Sequence, residues 1–288
     1  MKKLLYLIPF SIIVSCELQG VEGDDVITND SIKANQNDVA VLDGNGFKLA
    51  DSINGVPNEM VMMRADGLRI EWTKKNTSNQ IQLNDAVMVN FHARVAGGEE
   101  YDSNDPIGEP IPLKTNIGMM VKGWEEGILM MHVGDKGRIM IPNALGYGDD
   151  GYLDKVPPQA DLIIDIEIVS KIEPIVLEEG VKVYKYKTAE GGANPVKNQI
   201  ITFDYFAFTV GKDAHLYDNS YKNGEPFSFK FENAGVVEGL HQGMSVIKAG
   251  ENAFIEIPTE LAYGKQGLID LVPSKTNIVY DVRVISVE

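Results

Sequence analysis

The chain contains the string Val121-Lys122-Gly123-Trp124-Glu125-Glu126-Gly127, and part of that string returns later as Val237-Glu238-Gly239-Leu240. The two strings lie 237 − 121 = 116 residues apart, and Tyr147 and Tyr263 are separated by the same interval. Landmarks that keep one register over such a distance are hard to explain by chance. The chain therefore carries two copies of one domain of about 105–115 residues, which is a common domain size.

Composition limits the class of protein and its partners. The chain has 288 residues, of which 44% are hydrophobic and 24% are charged, as is typical of globular protein with about two domains. Its formal net charge of −16 at pH 7 would be repelled by the phosphates of nucleic acid. We therefore expect no nucleic-acid partner.

The amino terminus has the pattern of a targeting segment. A positively charged start precedes an apolar run from Leu4 to Val14, which is too short for a bilayer span of ~20 residues. Cys16, the single cysteine of the chain, follows this run, as in a bacterial lipoprotein signal. An ordinary secretory signal and a buried thiol are the alternatives. We expect a signal peptide over 1–15, a lipidated Cys16 with a polar tether over 16–66, and a membrane-anchored protein of the bacterial cell envelope, facing the periplasm or the outside.

Both copies are predicted to be rich in strands. Residues 87–95 alternate between apolar and polar side chains, and residues 162–169 have one apolar face at 162, 164, 166 and 168. The corresponding strands of the second copy cover 200–210 and 278–285. Shorter strands are predicted over 137–141 and 252–257.

Each copy also has one helical pattern. Trp124, Ile128 and Met131 fall at i, i+4 and i+7, with Glu125 in the first turn, where the helix dipole favours negative charge. Glycine follows each pattern as a stop. We predict an α+β protein with two tandem domains, over 67–173 and 174–288, each with a mostly antiparallel sheet and one short helix.

Copy one resembles the FKBP-type peptidyl-prolyl cis-trans isomerases. The resemblance is carried by the string 121–127, by Gly146-Tyr147-Gly148 and by Val156-Pro157-Pro158, in the order and spacing of the family. Copy two is similar but weaker, and has Leu240 where copy one has Trp124. The resemblance implies, for each domain, a curved sheet wrapped over the helix with an apolar pocket between them.

The resemblance also implies a role for individual residues of domain 1. Trp124 would form the floor of the pocket, and the Tyr147 hydroxyl and the backbone N–H of Val121 would donate hydrogen bonds to substrate carbonyls. The implied catalytic residues are Tyr101, Asp102, Val121, Trp124 and Tyr147, and the implied substrate-binding residues are Phe91, Ile111, Met120, Tyr152, Val156 and Ile164.

The second pocket is implied at the corresponding positions of domain 2. These are Tyr205, Tyr217, Asp218, Phe227, Val236, Val237, Leu240, Tyr263, Leu268, Val272 and Tyr280. Domain 1 departs from the family at Ile111 and Ile164, where an aromatic side chain is usual, and domain 2 departs at Leu240. Because domain 1 keeps the tryptophan, we expect it to be the more active domain.

Alternative interpretations stay open at these positions. Trp124 could be a plain core residue, Tyr147 could be a sheet-edge aromatic, and Asp102 could cap a local turn. At the level of function, the first hypothesis is a prolyl isomerase that assists the folding of exported proteins. The second is a chaperone, binding or scaffold module that uses degenerate pockets without turnover.

Other chemistries lack support in the sequence. The histidines at 92, 132, 215 and 241 do not have metal-ligand spacing, so we predict neither a metal site nor a cofactor. The expected partners are proline-containing polypeptide clients and, through Cys16, a membrane. The resemblance further implies that macrolide immunosuppressants, which fill this pocket in the family, could bind.

Overall fold

The computed structural model describes residues 60–233 and 235–288, together with the backbone of short strands between residues 41 and 57. The predicted signal peptide and Cys16 lie outside the described residues. Within the described residues, no helix is both long enough and apolar enough to cross a membrane.

The first sheet belongs to domain 1. The strands between residues 41 and 172 are, in chain order, β1 (Val41–Leu42), β2 (Lys48–Leu49), β3 (Ser52–Ile53), β4 (Val56–Pro57), β5 (Val61–Met63), β6 (Arg69–Lys74), β7 (Ala86–Val95), β8 (Glu100–Ser103), β9 (Ile111–Lys114), β10 (Lys136–Ile141) and β11 (Leu162–Ile172). Their antiparallel order is β1-β2-β5-β6-β10-β11-β7-β8, and β9 also pairs with β7, while β3 and β4 pair only with each other. Because β5 pairs with β6, this sheet begins before residue 67, within the stretch that we predicted as tether.

The second sheet belongs to domain 2 and repeats the pattern. Its strands are β12 (Ile175–Val176), β13 (Lys182–Lys187), β14 (Ile200–Thr209), β15 (Leu216–Asn219), β16 (Phe227–Lys230), β17 (Asn252–Ile257) and β18 (Ile278–Val287). Their order is β12-β13-β17-β18-β14-β15, and β16 pairs with β14. The α+β architecture of two tandem domains is confirmed.

One short helix packs against each sheet, α1 (Lys122–Ile128) and α2 (Glu238–Met244). The pair of glycines in α1 explains its close approach to the sheet. A Cβ on Gly123 would lie 2.4 Å from Cγ2 of Ile141, and one on Gly127 would lie 2.8 Å from Cγ2 of Ile139. The helix is shorter than the periodicity predicted, because the chain turns after Ile128 and Met131 reaches the core from that turn.

Alternation along β11 builds the core of domain 1. Leu162, Ile164, Ile166 and Ile168 are all buried, so the apolar face that the sequence predicted is confirmed. Their neighbours along the strand point to the opposite face, since successive side chains of a strand alternate.

The sheet of domain 2 is buried on both faces. On β14, Phe203 and Ala207 belong to the core of domain 2, whereas Phe206 and Phe208 belong to a cluster that is continuous with the core of domain 1. Residues Tyr184, Phe254 and Val279, on the three neighbouring strands, join this same cluster. The outer face of the second sheet therefore packs against domain 1, and the two domains share an extensive apolar interface.

Candidate functional site

The predicted floor of the first pocket lies on α1. Trp124 is only 5% exposed to solvent, and its ring centroid is 5.0 Å from that of Phe91 on β7. The indole Nε1 is buried and has no hydrogen-bond partner among the residues that the structure describes. The two rings are tilted by 54° to each other and form an apolar base between the helix and the sheet.

The predicted walls come from three separate parts of domain 1. Ile111 on β9, Ile164 on β11 and Val156 in the loop before β11 are almost completely buried. Met120 and Tyr152 are buried too, and all of these side chains belong to one cluster with Trp124. The structure thus places the predicted substrate-binding residues in the same core cluster as Trp124.

Two half-buried tyrosines, Tyr101 and Tyr147, form the more accessible rim, next to buried Tyr152. The rings of Tyr147 and Tyr152 are stacked with centroids 4.9 Å apart, and Tyr101 meets Tyr147 edge-on at 6.3 Å. Burial raises the pKa of both the Tyr101 and the Tyr147 phenol well above the usual value. These hydroxyls stay protonated at neutral pH and can donate hydrogen bonds to a carbonyl.

A two-way backbone pairing shapes the loop that carries this rim. The Tyr152 N–H donates to the Val156 carbonyl at 2.8 Å, and the Val156 N–H donates back at 3.0 Å. Gly151 allows residues 152 and 156 to pair, because a Cβ at position 151 would lie 2.4 Å from the Val156 oxygen. The loop is therefore tightly closed beneath Tyr147.

The remaining two predicted catalytic residues lie on different elements of domain 1. Asp102 lies on β8, half-buried, opposite Ala93 of β7. Val121 is the residue before α1, and its carbonyl accepts hydrogen bonds from the N–H groups of Trp124 and Glu125. The first N–H groups of a helix have no partner within the helix, so this position suits a donor to a substrate carbonyl.

Glu125 follows Trp124 in α1, beside the predicted site, and is not among the residues that the resemblance implies. Its side chain accepts a hydrogen bond of 3.0 Å from the Gly118 N–H, in the segment that leads to Val121. Burial raises the pKa of this carboxyl to about 7, against the opposing effect of backbone N–H groups between Asn116 and Met119. The sequence signal was an acidic residue in the first helical turn, which we assigned only to the helix dipole.

The second pocket has a different floor and a different edge. Leu240 is 1% exposed and replaces the indole. Tyr205 donates a hydrogen bond of 2.7 Å to the Asp218 carboxylate, a bond that Phe91 cannot make to Asp102 in domain 1. The Asp218 carboxylate therefore already accepts one hydrogen bond from within domain 2.

The remaining predicted residues of domain 2 form an aromatic group. Tyr217 and Tyr280 are buried, and the Tyr280 ring lies 5.5 Å from Tyr205 and 6.5 Å from Tyr217. Tyr263 meets Tyr217 edge-on, and Phe227 meets Tyr205 in the same way. Val272 is buried in this group, and half-buried Val236, Val237 and Leu268 pack against it.

Comparison with known families identifies the chain. The model of the FKBP-type peptidyl-prolyl cis-trans isomerase matches residues 77–169 and 191–285, which together exceed half of the chain. The chain belongs to this family. Each matched segment covers most of one of the two sheets, so each domain is an FKBP domain.

Several known FKBP proteins are similar to the chain. Mouse peptidyl-prolyl cis-trans isomerase FKBP10 is 27% identical over 206 residues, which cover 71% of this chain and 35% of the relative. FK506-binding protein 2 of Dictyostelium discoideum is 36% identical over 85 residues, covering 30% of this chain and 64% of the relative. The three-domain structure of wheat FKBP73 has a TM-score of 0.40 and 22% identity, and covers 78% of this chain and 96% of that one. The chain spans about a third of the length of the FKBP10 relative.

The FKBP pockets offer binding surface and hydrogen-bond donors. Among residues 60–233 and 235–288, no group of three histidine, cysteine or acidic side chains could hold a metal ion. The first pocket combines an apolar base with protonated phenols. Such a surface can strip water from a peptide and hold its carbonyls in place.

Proposed function

We propose that domain 1 is a peptidyl-prolyl cis-trans isomerase that acts on X-Pro bonds of proteins as they fold. The observation that carries this proposal is the Trp124 and Phe91 base, rimmed by the Tyr101 and Tyr147 hydroxyls, in a chain of this family. The relatives described above that are named peptidyl-prolyl cis-trans isomerases support it.

The reaction needs no covalent bond to the enzyme. Rotation about a peptide bond is opposed by a barrier of about 18–20 kcal/mol, because amide resonance is lost in the twisted state. The twisted amide has a less polar carbonyl than the planar one, so an apolar base that removes water favours it. An enzyme that binds the twisted amide more tightly than the planar amide lowers the barrier by that difference.

The required difference is modest. Lowering the barrier by about 5–6 kcal/mol accelerates rotation about four decades. Loss of water from the carbonyl over Trp124, together with donors at Tyr147 and Val121, supplies contributions of that order.

A refolding assay tests the proposal. The full chain is added to a protein whose refolding is limited by a trans-to-cis prolyl bond, and the slow phase is followed. We expect the slow phase to accelerate in proportion to the amount of the chain, and FK506-type macrolides to suppress the acceleration by filling the pocket. A slow phase identical to that in buffer would overturn the proposal.

Domain 2 favours a second candidate function, that of a binding module for apolar or proline-bearing clients. The supporting observation is Leu240 in place of the indole, together with the Tyr205–Asp218 hydrogen bond. If this holds, the chain suppresses aggregation of an unfolded client even when the variant Trp124→Leu has lost turnover. Loss of both properties in that variant would contradict a separate binding role.

We also propose that the chain acts at a bacterial cell envelope, anchored by lipid on Cys16. The supporting observation is the single cysteine at the end of the apolar run from Leu4 to Val14. The mature protein should label with radioactive palmitate and sediment with membranes. The variant Cys16→Ser should lose the label, and a labelled Cys16→Ser protein would overturn the proposal.

A further inference from the structure

The hairpin between β14 and β15 of domain 2 touches the segment that leads into the domain 1 pocket. The Gly211 N–H donates a hydrogen bond of 3.0 Å to the Asn116 carbonyl. Asn116 is also tied within domain 1, because its side-chain amide donates to the Asn84 side chain at 2.9 Å. One backbone bond therefore joins the hairpin of domain 2 to an anchored point of domain 1.

The contact continues at Gly118. A Cβ on this residue would lie 2.3 Å from the Ala214 carbonyl oxygen and 2.9 Å from its carbonyl carbon. The φ angle of Gly118 is +66°, a conformation that glycine adopts at no steric cost. The backbone of the hairpin thus packs directly against the backbone of domain 1, with no side chain between them.

Domain 1 holds the same residue from the other side. A side-chain oxygen of Glu125 accepts the Gly118 N–H, so Gly118 is fixed between α1 and the hairpin of domain 2. Met120, a predicted wall of the pocket, and Val121, the predicted backbone donor, follow within three residues. Displacement of Gly118 would move both.

The hairpin is longer than its counterpart, and the extra length makes this contact. From Tyr205 to Tyr217 the chain takes 217 − 205 = 12 steps, whereas from Phe91 to Tyr101 it takes 101 − 91 = 10. The two additional residues lie in the hairpin, whose turn is closed by the Ala214 N–H donating to the Gly211 carbonyl at 3.1 Å.

The base of the hairpin is firmly held within domain 2. The His215 N–H donates to the Thr209 hydroxyl at 2.9 Å, and the His215 ring lies 3.1 Å from the Leu271 carbonyl. The Val210 N–H donates to the Asn277 carbonyl. A hairpin fixed in this way can act as a rigid support for whatever it touches.

We propose that domain 2 positions the active site of domain 1, through the Gly211 and Ala214 backbone that holds segment 116–118. Domain 2 thereby contributes to turnover without binding the reacting amide. This inference rests on the proposed isomerase activity of domain 1. It also gives a physical reason to retain a second domain whose own pocket has lost the tryptophan.

The test shortens the hairpin in the full-length chain by deleting Lys212 and Asp213, which are both exposed. The matched control keeps the length and carries Lys212→Ala and Asp213→Ala. Hydrogen exchange at the amides of residues 116–121 is measured along with kcat and KM for prolyl isomerisation. Local opening of this segment is read by exchange and does not depend on turnover.

We expect faster exchange confined to residues 116–121, and a fall in kcat/KM of about threefold or more, in the shortened chain only. Unchanged exchange at these amides would overturn the proposal even if the chain has no isomerase activity. Faster exchange with unchanged kcat/KM, in an active chain, would overturn the positioning role and leave the contact as plain packing.

A second variant tests the same inference if the shortened chain fails to fold. Residues 96–100, which close the equivalent strands of domain 1, replace residues 210–216. Because this connection already joins such strands in the same chain, the graft should preserve the sheet. The same local increase in exchange is expected, and a graft with native exchange at 116–121 would equally overturn the inference.

Discussion

The Lys114 ammonium of domain 1 lies 2.9 Å from the Glu256 carboxylate of domain 2, and the Lys114 side chain has no exposed surface. The ammonium also lies 3.9 Å from the centre of the Tyr184 ring and donates to the Asn84 carbonyl at 2.6 Å. Burial lowers the pKa of Lys114, while the Glu256 carboxylate opposes that effect. A charge buried at this interface depends on its partner in the other domain.

This relationship predicts strong coupling between the two domains. Lys114→Met leaves the Glu256 carboxylate with weaker compensation, and Glu256→Gln leaves the buried ammonium without a counter-charge. We expect each single variant to lose about 3–5 kcal/mol of unfolding free energy, and the double variant to lose less than the sum. Urea denaturation of the four proteins measures the coupling.

An exposed ion pair of domain 1 supplies the control for that cycle. Lys136 lies 3.0 Å from Glu167, and both side chains are accessible to solvent. Lys136→Met should cost no more than about 1 kcal/mol. Equal costs at Lys114 and Lys136 would contradict the role of Lys114 as a buried interdomain link.

The strands and the domain repeat could be predicted from sequence, whereas the interface between the domains could not. The alternation of β7 and β11 predicted one buried face each. On β14, by contrast, Phe203, Phe206 and Phe208 give an apolar run in which the two faces serve different clusters. A continuous apolar run indicates burial on both faces, but it does not name the element that covers the second face.

The predicted pocket residues are carried by a motif, whereas no motif indicates Glu125, because its contact depends on the path of the chain. No local pattern shows that the segment before α1 folds back so that the Gly118 N–H meets this carboxylate. The extra length of the β14–β15 hairpin was visible in the sequence. Its contact with Gly118 depends on how two domains pack, which no spacing reveals.

The floor of the first pocket gives the second prediction. Trp124→Leu makes the base of domain 1 like that of domain 2, and removes the flat surface next to Phe91. We expect kcat/KM to fall about tenfold or more, equivalent to about 1.4 kcal/mol of lost transition-state binding. The measurement is the rate of a proline-limited refolding step at several concentrations of the full-length variant.

The control for this prediction removes a comparable side chain from domain 2. Leu240→Ala deletes a buried residue of α2 and should destabilise the chain by about 2–5 kcal/mol. Its kcat/KM should stay near the wild-type value at temperatures where the chain is folded. A tenfold loss in Leu240→Ala together with full activity in Trp124→Leu would place turnover in domain 2.

The third prediction concerns a single hydroxyl at the rim. Tyr147→Phe keeps the ring stacked on Tyr152 and removes only the donor, whose pKa is raised by burial. Loss of one hydrogen bond of about 0.5–1.5 kcal/mol predicts a fall in kcat/KM of roughly two- to tenfold. Tyr263→Phe makes the same change in domain 2 and should leave kcat/KM unaltered. Identical rates for wild type and Tyr147→Phe would remove Tyr147 from the proposed mechanism.

The last prediction follows from the buried Glu125 carboxyl. Its pKa is raised from 4.5 to about 7, chiefly by burial, so the folded chain keeps this proton at pH values where the unfolded chain has lost it. The stabilisation is therefore fully present below about pH 4.5 and is lost as the pH rises through about 7. The unfolding free energy of the wild type minus that of Glu125→Gln should decline over this window, by at most about 1.4 kcal/mol per pH unit.

Urea denaturation of both proteins at intervals of pH measures that difference, and subtraction cancels the other titrating groups. Glu126→Gln is the matched control, because Glu126 lies next in the helix but forms an ion pair of 2.5 Å with Arg64. At pH 7 the loss of this ion pair should make Glu126→Gln less stable than the wild type, while Glu125→Gln should be at least as stable. A difference between wild type and Glu125→Gln that rises with pH would show that the Gly118 hydrogen bond outweighs burial, and that the carboxylate is the form that holds the segment in place.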